Sequence, residues 1–482
     1  MSFGPIQFGG LASGLDTASI ITALVGAESI PLQTAENQKS EAQQKINLLG
    51  TFEGLLNTLK EKAEALATAD EFVKQQVSVS EEGFATVGVT GATAEGSHTL
   101  QVTALAAVDR YHFSGVIDPD AALSSGTLAF DYDGQSYSFD TGGTASLNDL
   151  ADDINAQMGD SVTASVVNTG TSASPSYELV IAGDETGASK TLSFTTTSIA
   201  ELGAGTQIGT ASNAEIIVDG LTVQREDNDF SDVLEGISIQ ALAQTTGEIT
   251  FTVDPDTTAI KDGIQEMVDA YNAVIGFINT QNEYSEDGGA GGLLFGDSAL
   301  SSAQSSMYNA LFNVDLSTVQ NDTTGFSTLG LVGIDLNLDG TLSIDDSTLD
   351  DKMAEDLDAF VDLFTDSDGF DNGDLPGSDP NFYVDTTADT GLADDLARAI
   401  DALLEDKETP SGSTVSGLIK SKTDSLNAQI KLYDDQIESL EFNLEKFEES
   451  LVSKFTALEE LMSGLNAQGA FLSQALVGLT PG

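Results

Sequence analysis

The sequence predicts an α+β multidomain fold: N- and C-terminal helices form a coiled-coil or helical-bundle leg, and β-rich head domains are inserted between them. Three observations carry that prediction. Apolar residues recur at alternating spacings of three and four near both ends, apolar and polar residues alternate with period two between about 75 and 256, and ten of the 17 basic residues lie in the windows Lys39 to Lys74 and Lys420 to Lys454. Residues 75–260 contain only Arg110, Lys190 and Arg225 as cations, so the ends are built differently from the middle.

The elements follow in chain order. Phe3 to Gly14 is a Gly-rich lead with no packing partner in sequence, expected to stay mobile until something captures it. Asp16 is placed to cap a short helix with Ile20, Ile21, Leu24 and Val25 on its apolar face, and Pro31 is expected to end it. Leu49, Phe52, Leu56, Leu59, Ala63 and Leu66 then form one narrow stripe. Val77 to Val79, Ala85 to Val89 and Thr99 to Val102 alternate as half-buried strands do. Asp133-Gly134, Asp219-Gly220 and Asp339-Gly340 each predict a tight hairpin, because such a turn needs positive φ at both central residues. One helix interrupts the strands: Leu147, Leu150, Ile154 and Met158 share a face, with Ser146 as cap and Gly159 as stop.

Helices return at Ile260 to Ile278, Leu300 to Leu311, Leu349 to Phe364 and Leu392 to Leu404, with a long Asp-, Gly- and Pro-rich loop over 366–391. The last stripe runs Leu426, Ile430, Tyr433, Ile437, Leu440, Leu444, Phe447, Leu451. A step of four to Phe455 then makes a stutter, and Leu458, Met462 and Leu465 follow. An apolar stripe more often covers a globular core, but this one runs without proline, which favours the coiled coil. The expected division is terminal segments 1–40 and 441–482, flexible before assembly, and a helical-bundle domain from 41–75 and 257–440 with a hairpin near 333–345. A β-rich head domain comes from 76–108 and 210–256, with an outer α+β head domain from 109–209 inserted in it.

Charge sets the classes of partner. Against 78 acidic side chains stand 17 basic ones, a formal net charge of -61, so the chain lacks the cations that binding nucleic acid or an anionic lipid surface requires. No apolar run is long enough to span a bilayer. There is no cysteine, which removes disulfides, thiolate metal sites and cysteine nucleophiles, and the first lysine is Lys39, so no secretory signal peptide is expected. The acidic excess is of the kind that adaptation to high salt produces, where screening relieves self-repulsion.

No catalytic constellation stands out. His98 and His112 are the only histidines, and neither sits in a recognisable motif. Carboxylate pairs abound at this density, so no pair can be singled out, and no cofactor is expected. Asp335-Leu-Asn337-Leu-Asp339-Gly-Thr341 has the ligand spacing of a calcium loop, with Asp346 where the bidentate Glu normally stands. Its flanks alternate apolar and polar around Asp-Gly, which favours a hairpin and no metal site.

These motifs together resemble the flagellar filament cap family, also called flagellar hook-associated protein 2. The resemblance rests on Gly10 to Asp16 with Ile20, Ile21, Leu24 and Pro31; on Asp227-Asn-Asp-Phe-Ser-Asp-Val-Leu-Glu-Gly236; and on Val268-Asp-Ala-Tyr-Asn272. It continues in Leu329-Gly-Leu-Val-Gly-Ile-Asp to Asp345, Phe360 to Phe364, and Phe455 to Phe471. Ser146 to Asn155 followed by Val162-Thr-Ala-Ser-Val is similar to a module shared more widely among flagellar axial proteins.

The resemblance implies a non-enzymatic assembly factor, exported without a cleaved signal to the tip of the flagellum. It also implies a ring of copies, a pentamer by that likeness, with flagellin, the hook–filament junction protein and a cytosolic export chaperone as partners. The coiled-coil rows Leu49 to Leu66 and Leu426 to Leu451 would form the leg. Leu11, Leu15, Ile20, Ile21, Leu24, Leu458, Leu461, Leu465, Phe471 and Leu472 would dock on the filament. Another axial protein, or a secreted calcium-dependent adhesin, are the alternatives.

Overall fold

A computed structural model describes residues 13–91, 93–284, 291–312, 326–365, 391–408 and 414–477. The lead expected to begin at Phe3, as far as residue 12, and the loop expected over 366–391, as far as residue 390, lie outside them. The chain divides into two units, Met1–Phe72 with Ile260–Gly482, and Val73–Ala259.

The first unit is helical. Helix α1 (Thr17–Glu28) starts where Asp16 accepts the Ser19 amide, as the sequence predicts. Pro31 does not end it. The break falls at Ser29, and Pro31 sits in the first turn of α2 (Ile30–Ala67), where a missing N–H costs nothing. A one-turn α3 (Ala69–Phe72) closes this stretch.

In the second unit, β1 (Gln75–Val79), β2 (Ala85–Val89) and β3 (Gly96–Ala104) lead into β4 (Arg110–Val116), β5 (Thr127–Tyr132) and β6 (Gln135–Asp140). Helix α4 (Leu147–Met158) carries a full capping box between Ser146 and Asp149. Strands β7 (Val162–Asn168), β8 (Tyr177–Gly183), β9 (Ser193–Thr197) and β10 (Thr206–Gly209) follow. The chain returns through β11 (Ala214–Val218), β12 (Leu221–Arg225), β13 (Ile237–Ala241) and β14 (Ile249–Pro255).

Two cores form. The sheets β1-β14-β3-β11-β12 and β13-β2 enclose Leu100, Ile216, Phe230, Ile239 and Phe251. The sheets β10-β4-β8-β7 and β6-β5-β9, with α4, enclose Phe113, Phe130, Ile154, Leu179 and Ile181. The second core is built wholly from residues between Phe113 and Leu202.

The Asp-Gly pairs split two to one. Asp133 and Gly134 (φ 46 and 73), and Asp219 and Gly220 (φ 49 and 79), make the expected two-residue turns. Asp339-Gly340 does not. Strands β15 (Ile334–Leu336) and β16 (Leu342–Ile344) pair across a five-residue loop in which only Gly340 has positive φ. There the Asp339 carboxylate accepts the Thr341 amide at 3.1 Å and its hydroxyl at 2.6 Å, a local alternative to the tight turn.

Back in the first unit, α5 (Thr257–Asn282) and α6 (Ser298–Phe312) contain the predicted stripes. The single helix expected from Leu349 to Phe364 is two, α7 (Asp346–Glu355) and α8 (Leu357–Asp362). Asp356 turns extended between them and caps the second by accepting the Ala359 amide. Helix α9 (Leu392–Leu404) wedges between α2 and α6. After the short pair β17 (Lys407–Glu408) and β18 (Thr414–Val415), α10 (Leu418–Val477) runs 60 residues without a break.

Candidate assembly surfaces

The terminal helices α2 and α10 pack antiparallel. Lys39 pairs with Asp434 at 2.5 Å, Lys45 shares a groove with Ser425 and Gln429, and nearer the chain ends the Ser13 hydroxyl donates to Glu459 on α10. The two predicted rows fare differently. Leu49, Phe52, Leu56, Leu59 and Leu66 are wholly or almost wholly buried. Phe52 stacks on Phe277 of α5 with centroids 5.4 Å apart, Leu66 abuts Gly263, and Lys60 reaches Asp401 of α9 at 2.5 Å. That row therefore serves the bundle core, and the stretch from Glu36 to Lys45 faces α10.

On α10, Leu426, Ile430, Tyr433, Ile437, Leu440, Leu444 and Phe447 are only half-buried, and Leu451 alone of the row is buried. One partner helix covers an apolar seam from one side. Beyond Leu451 the cover thins: Phe455 and Met462 stay half-buried where α1 meets α10, but Leu458 is 37%, Leu461 61%, Leu465 52%, Phe471 73% and Leu472 60% exposed. Near the other end Leu15, Ile20 and Leu24 are exposed and Ile21 half-buried, while Leu11 lies outside the described residues. Sequence reasoning missed Leu432 and Phe442, both exposed on α10. Their signal is that they are large apolar residues falling off the stripe; Lys446 Nζ lies 5.8 Å from the Phe442 ring centroid.

Three motifs gain a physical meaning they lacked as strings. Asn155 of α4 donates from Nδ2 to the Ala164 carbonyl (2.8 Å) and accepts the Ala164 amide (2.7 Å), pairing with β7 on its open edge. Asn228 brackets Ala106 in the same way, at 3.3 and 2.8 Å. Asn272 of α5 brackets Leu342, at 2.8 and 2.6 Å, and so pins the β15–β16 hairpin to the bundle. A side-chain amide presents the same donor and acceptor as a peptide group, so one asparagine can satisfy both backbone groups of a residue where they face away from a neighbouring strand. Beside Asn272, burial pushes the Tyr271 phenol up to about 12. Gly333 (φ 86) is also required: a Cβ there would lie 2.9 Å from the Asp345 carbonyl oxygen.

The calcium spacing resolves into that hairpin and the start of α7. Asp345 caps α7, and its hydrogen bonds from Thr348 hold the carboxyl below its ordinary value. Asp346 pairs with Lys261 at 3.4 Å. Among the described residues no group of three or more His, Cys, Asp or Glu is arranged to hold a metal ion. His98 and His112 each bind one carboxylate through Nδ1, Asp219 at 2.7 Å and Glu178 at 2.8 Å.

A 60-residue terminal helix whose apolar row is only half-covered, ending in exposed Leu461, Leu465, Phe471 and Leu472, is the mark of a subunit of a larger structure. Similarity to known proteins says which structure. The chain belongs to the flagellar hook-associated protein 2 family, whose C-terminal sequence model matches residues 211–467 and whose N-terminal model matches 13–109.

The A-type flagellar hook-associated protein 2 of Pseudomonas aeruginosa is 28% identical over 98% of this chain and 97% of its own. Flagellar hook-associated protein 2 of Escherichia coli K12 is 27% identical over 96% and 97%. The fold is shared with the crystal structure of the flagellar cap protein FliD, domains D1-D2-D3, from Escherichia coli. That likeness has a TM-score of 0.52 and 22% identity, over 79% of this chain and 99% of that one. The family is structural and non-enzymatic.

Proposed function

We propose that this protein caps the flagellar filament: it sits at the tip, promotes polymerisation of exported flagellin beneath it and prevents loss of flagellin to the medium. Family membership over nearly the whole chain supports the cap role. The observation that carries the docking half of the reading is the exposed apolar residues of the two chain ends, Leu15 to Leu24 and Leu458 to Leu472, which Ser13 and Glu459 bring to one end of the helical unit. Apolar side chains lined up on one terminal segment, in a chain this acidic, are a surface awaiting a partner. In this reading those rows contact the filament end, and the half-covered seam Leu426 to Phe447 is completed by neighbouring copies. Copies form a ring, by likeness a pentamer, with the hook–filament junction protein and an export chaperone met on the way to the tip.

A closed ring has point symmetry and a filament end has a screw operation, so the two cannot match at every subunit. Terminal segments that can rearrange leave one gap open for the next flagellin. Neither alternative gains support: the calcium spacing is a hairpin, and the family matched is hook-associated protein 2 rather than a junction protein or flagellin.

The test is a deletion strain complemented with Leu465→Asp or Phe471→Asp, both exposed and therefore harmless to the fold, and with Leu440→Asp in the half-covered seam. The deletion and the complemented variants should release monomeric flagellin into the medium and show bare filament tips by electron microscopy. Full-length filaments with occupied tips from the terminal variants would end the docking assignment.

A further inference from the structure

The two cores of the second unit belong to an inner and an outer domain, and a narrow crossing joins them. The inner core is built on Leu100, Ile216 and Phe251, the outer on Phe113, Phe130 and Ile181. The chain passes out before β4 and back after β10, and the two passes pair at one point. The Ala107 amide donates to the Ser212 carbonyl at 3.0 Å and the Ser212 amide to the Ala107 carbonyl at 3.1 Å. Such a link resists stretching but leaves bending and twisting free, and relative motion is the ordinary expectation for domains with separate cores.

Two features oppose that motion. The first is Asp109, 1% exposed at the start of the outer domain. Its carbonyl accepts the Gly183 amide at 2.9 Å, and its carboxylate accepts the Leu192 amide at 2.8 Å and the Gln207 side-chain amide at 2.7 Å. A buried carboxylate needs such donors, and here they belong to both ends of the loop between β8 and β9 and to the returning strand β10. One residue at the crossing therefore seats the whole loop.

The second feature is where that loop goes. Its middle reaches the inner domain: the Ala188 amide donates to Asn213 Oδ1 at 2.6 Å, and the Ser189 hydroxyl to Glu226 Oε1 at 2.8 Å. Gly187 beside them is buried with φ 116, and a Cβ there would lie 2.8 Å from Glu226 Cβ, so the close approach requires glycine. Because β11 lies between β3 and β12, and Ala214 pairs with Arg225, Glu226 stands on the far side of Asn213 from Ala107. The attachments therefore span roughly 10 Å at the usual strand spacing, a base wide enough to resist twist.

We propose that the loop 184–191 is a brace, seated by Asp109, that fixes the outer domain on the inner one so that the two move as a single rigid body. No ion pair spans the crossing among the described residues: Lys190 pairs with Asp133 and Glu185 inside the outer domain, and Arg225 with Asp232 inside the inner one. A brace made of hydrogen bonds holds equally at low and high salt, unlike one made of exposed charges. The inference concerns the second unit alone and stands or falls independently of the cap role.

The chain has no cysteine, so Ser138→Cys on the outer domain and Thr222→Cys on the inner one, both exposed, place one nitroxide on each. Distances are read by double electron–electron resonance on the full-length labelled chain, diluted into excess unlabelled chain, at low and at molar KCl. The otherwise wild-type chain is expected to give one narrow distribution of the same width at both salts. Asn213→Ala combined with Ser189→Ala, and Gly187→Ala alone, should each broaden it by about twofold. Asp109→Asn turns one acceptor into a donor that faces a donor and should broaden it as well. Asn168→Ala deletes two hydrogen bonds in the β7–β8 loop, away from the crossing, and should leave the width unchanged.

A broad distribution in the wild-type background would overturn the brace. A width that narrows with salt would assign the orientation to charge repulsion and overturn it too. Brace variants that fold by circular dichroism and lower the unfolding temperature, yet keep the wild-type width, would reduce these contacts to a stabilising role and have the same consequence. Should Asp109→Asn fail to fold, the loop variants decide the question alone.

Discussion

Asn272→Asp is the sharpest single test of how the helical unit holds together. The substitution keeps size and shape and keeps the acceptor that receives the Leu342 amide at 2.6 Å, but it turns the donor that faces the Leu342 carbonyl at 2.8 Å into a second oxygen. One hydrogen bond worth about 1 kcal/mol is lost, and the carbonyl of a residue that is 3% exposed is left without a partner, a further cost of about 1–3 kcal/mol. The expected loss is therefore about 2–4 kcal/mol. Urea unfolding of the full-length chain in concentrated salt, followed by far-UV circular dichroism, reads it as a lowered midpoint in the helical unit's transition. Hydrogen exchange at the Leu342 amide should speed up in step.

Acidification supplies a control. The new carboxyl faces an oxygen, so its neutral form is favoured in the fold and its folded pKa is raised. The deficit is then full above that raised value and shrinks as pH falls through it, because a protonated carboxyl can donate to the carbonyl again. An unfolding midpoint within about 0.5 kcal/mol of wild type at neutral pH would refute the bracket as a stabilising device.

Two further predictions follow from the charges. Glu178 is held below its ordinary value of 4.5, first by the hydrogen bond from His112 and then by that from Thr169. The stability advantage of wild type over Glu178→Gln should be complete above about 4.5 and vanish as pH falls through the depressed value, read by thermal unfolding of both chains; an advantage that grows on acidification contradicts the assignment. The formal net charge of -61 predicts that the melting temperature rises steeply with KCl, as the screening length falls from about 10 Å at 0.1 M to about 3 Å at 1 M. A melting temperature indifferent to KCl would mean that self-repulsion is not a significant term.

Much of this fold was legible because its strongest signals are local. Periods of three to four and of two located the helices and strands, and α9 was placed to the residue, Leu392–Leu404. Two of the misses share a cause, a short polar side chain that competes with the regular backbone pattern. Asp356 splits a helix by capping its second half, and Asp339 opens a hairpin by bonding Thr341. Pro31 predicts a stop because proline blocks a helix interior, yet the first turn of α2, where it sits, has no such objection to it.

The candidate surfaces were less legible than the elements. Periodicity said that Leu49 to Leu66 form an apolar face, but nothing in one sequence says whether a face meets a distant helix or the bundle beside it; the stacking of Phe52 on Phe277 decides that, and no local pattern encodes it. The asparagine brackets were visible as motif letters and silent as chemistry, since Asn155 and Ala164 meet only once the sheet exists.

The size of the uncovered row bears on how a cap of this kind could hold on. The exposed fractions of Leu458, Leu461, Leu465, Phe471 and Leu472 together equal nearly three whole side chains, worth about 4–8 kcal/mol if docking buried them completely. Association itself costs about 4–15 kcal/mol in lost translational and rotational freedom, so this row on a single copy binds feebly or not at all. Leu15, Ile20 and Leu24 enlarge the surface, but the larger gain comes from linking copies: once one copy of a ring is docked, its neighbours dock as if from a high local concentration. In the proposed cap the ring contacts and the filament contacts are then not independent properties. A row too weak to hold one copy can hold an assembly, and any one copy can release and re-dock without the whole letting go, which is the behaviour that opening one gap at a time for the next subunit demands.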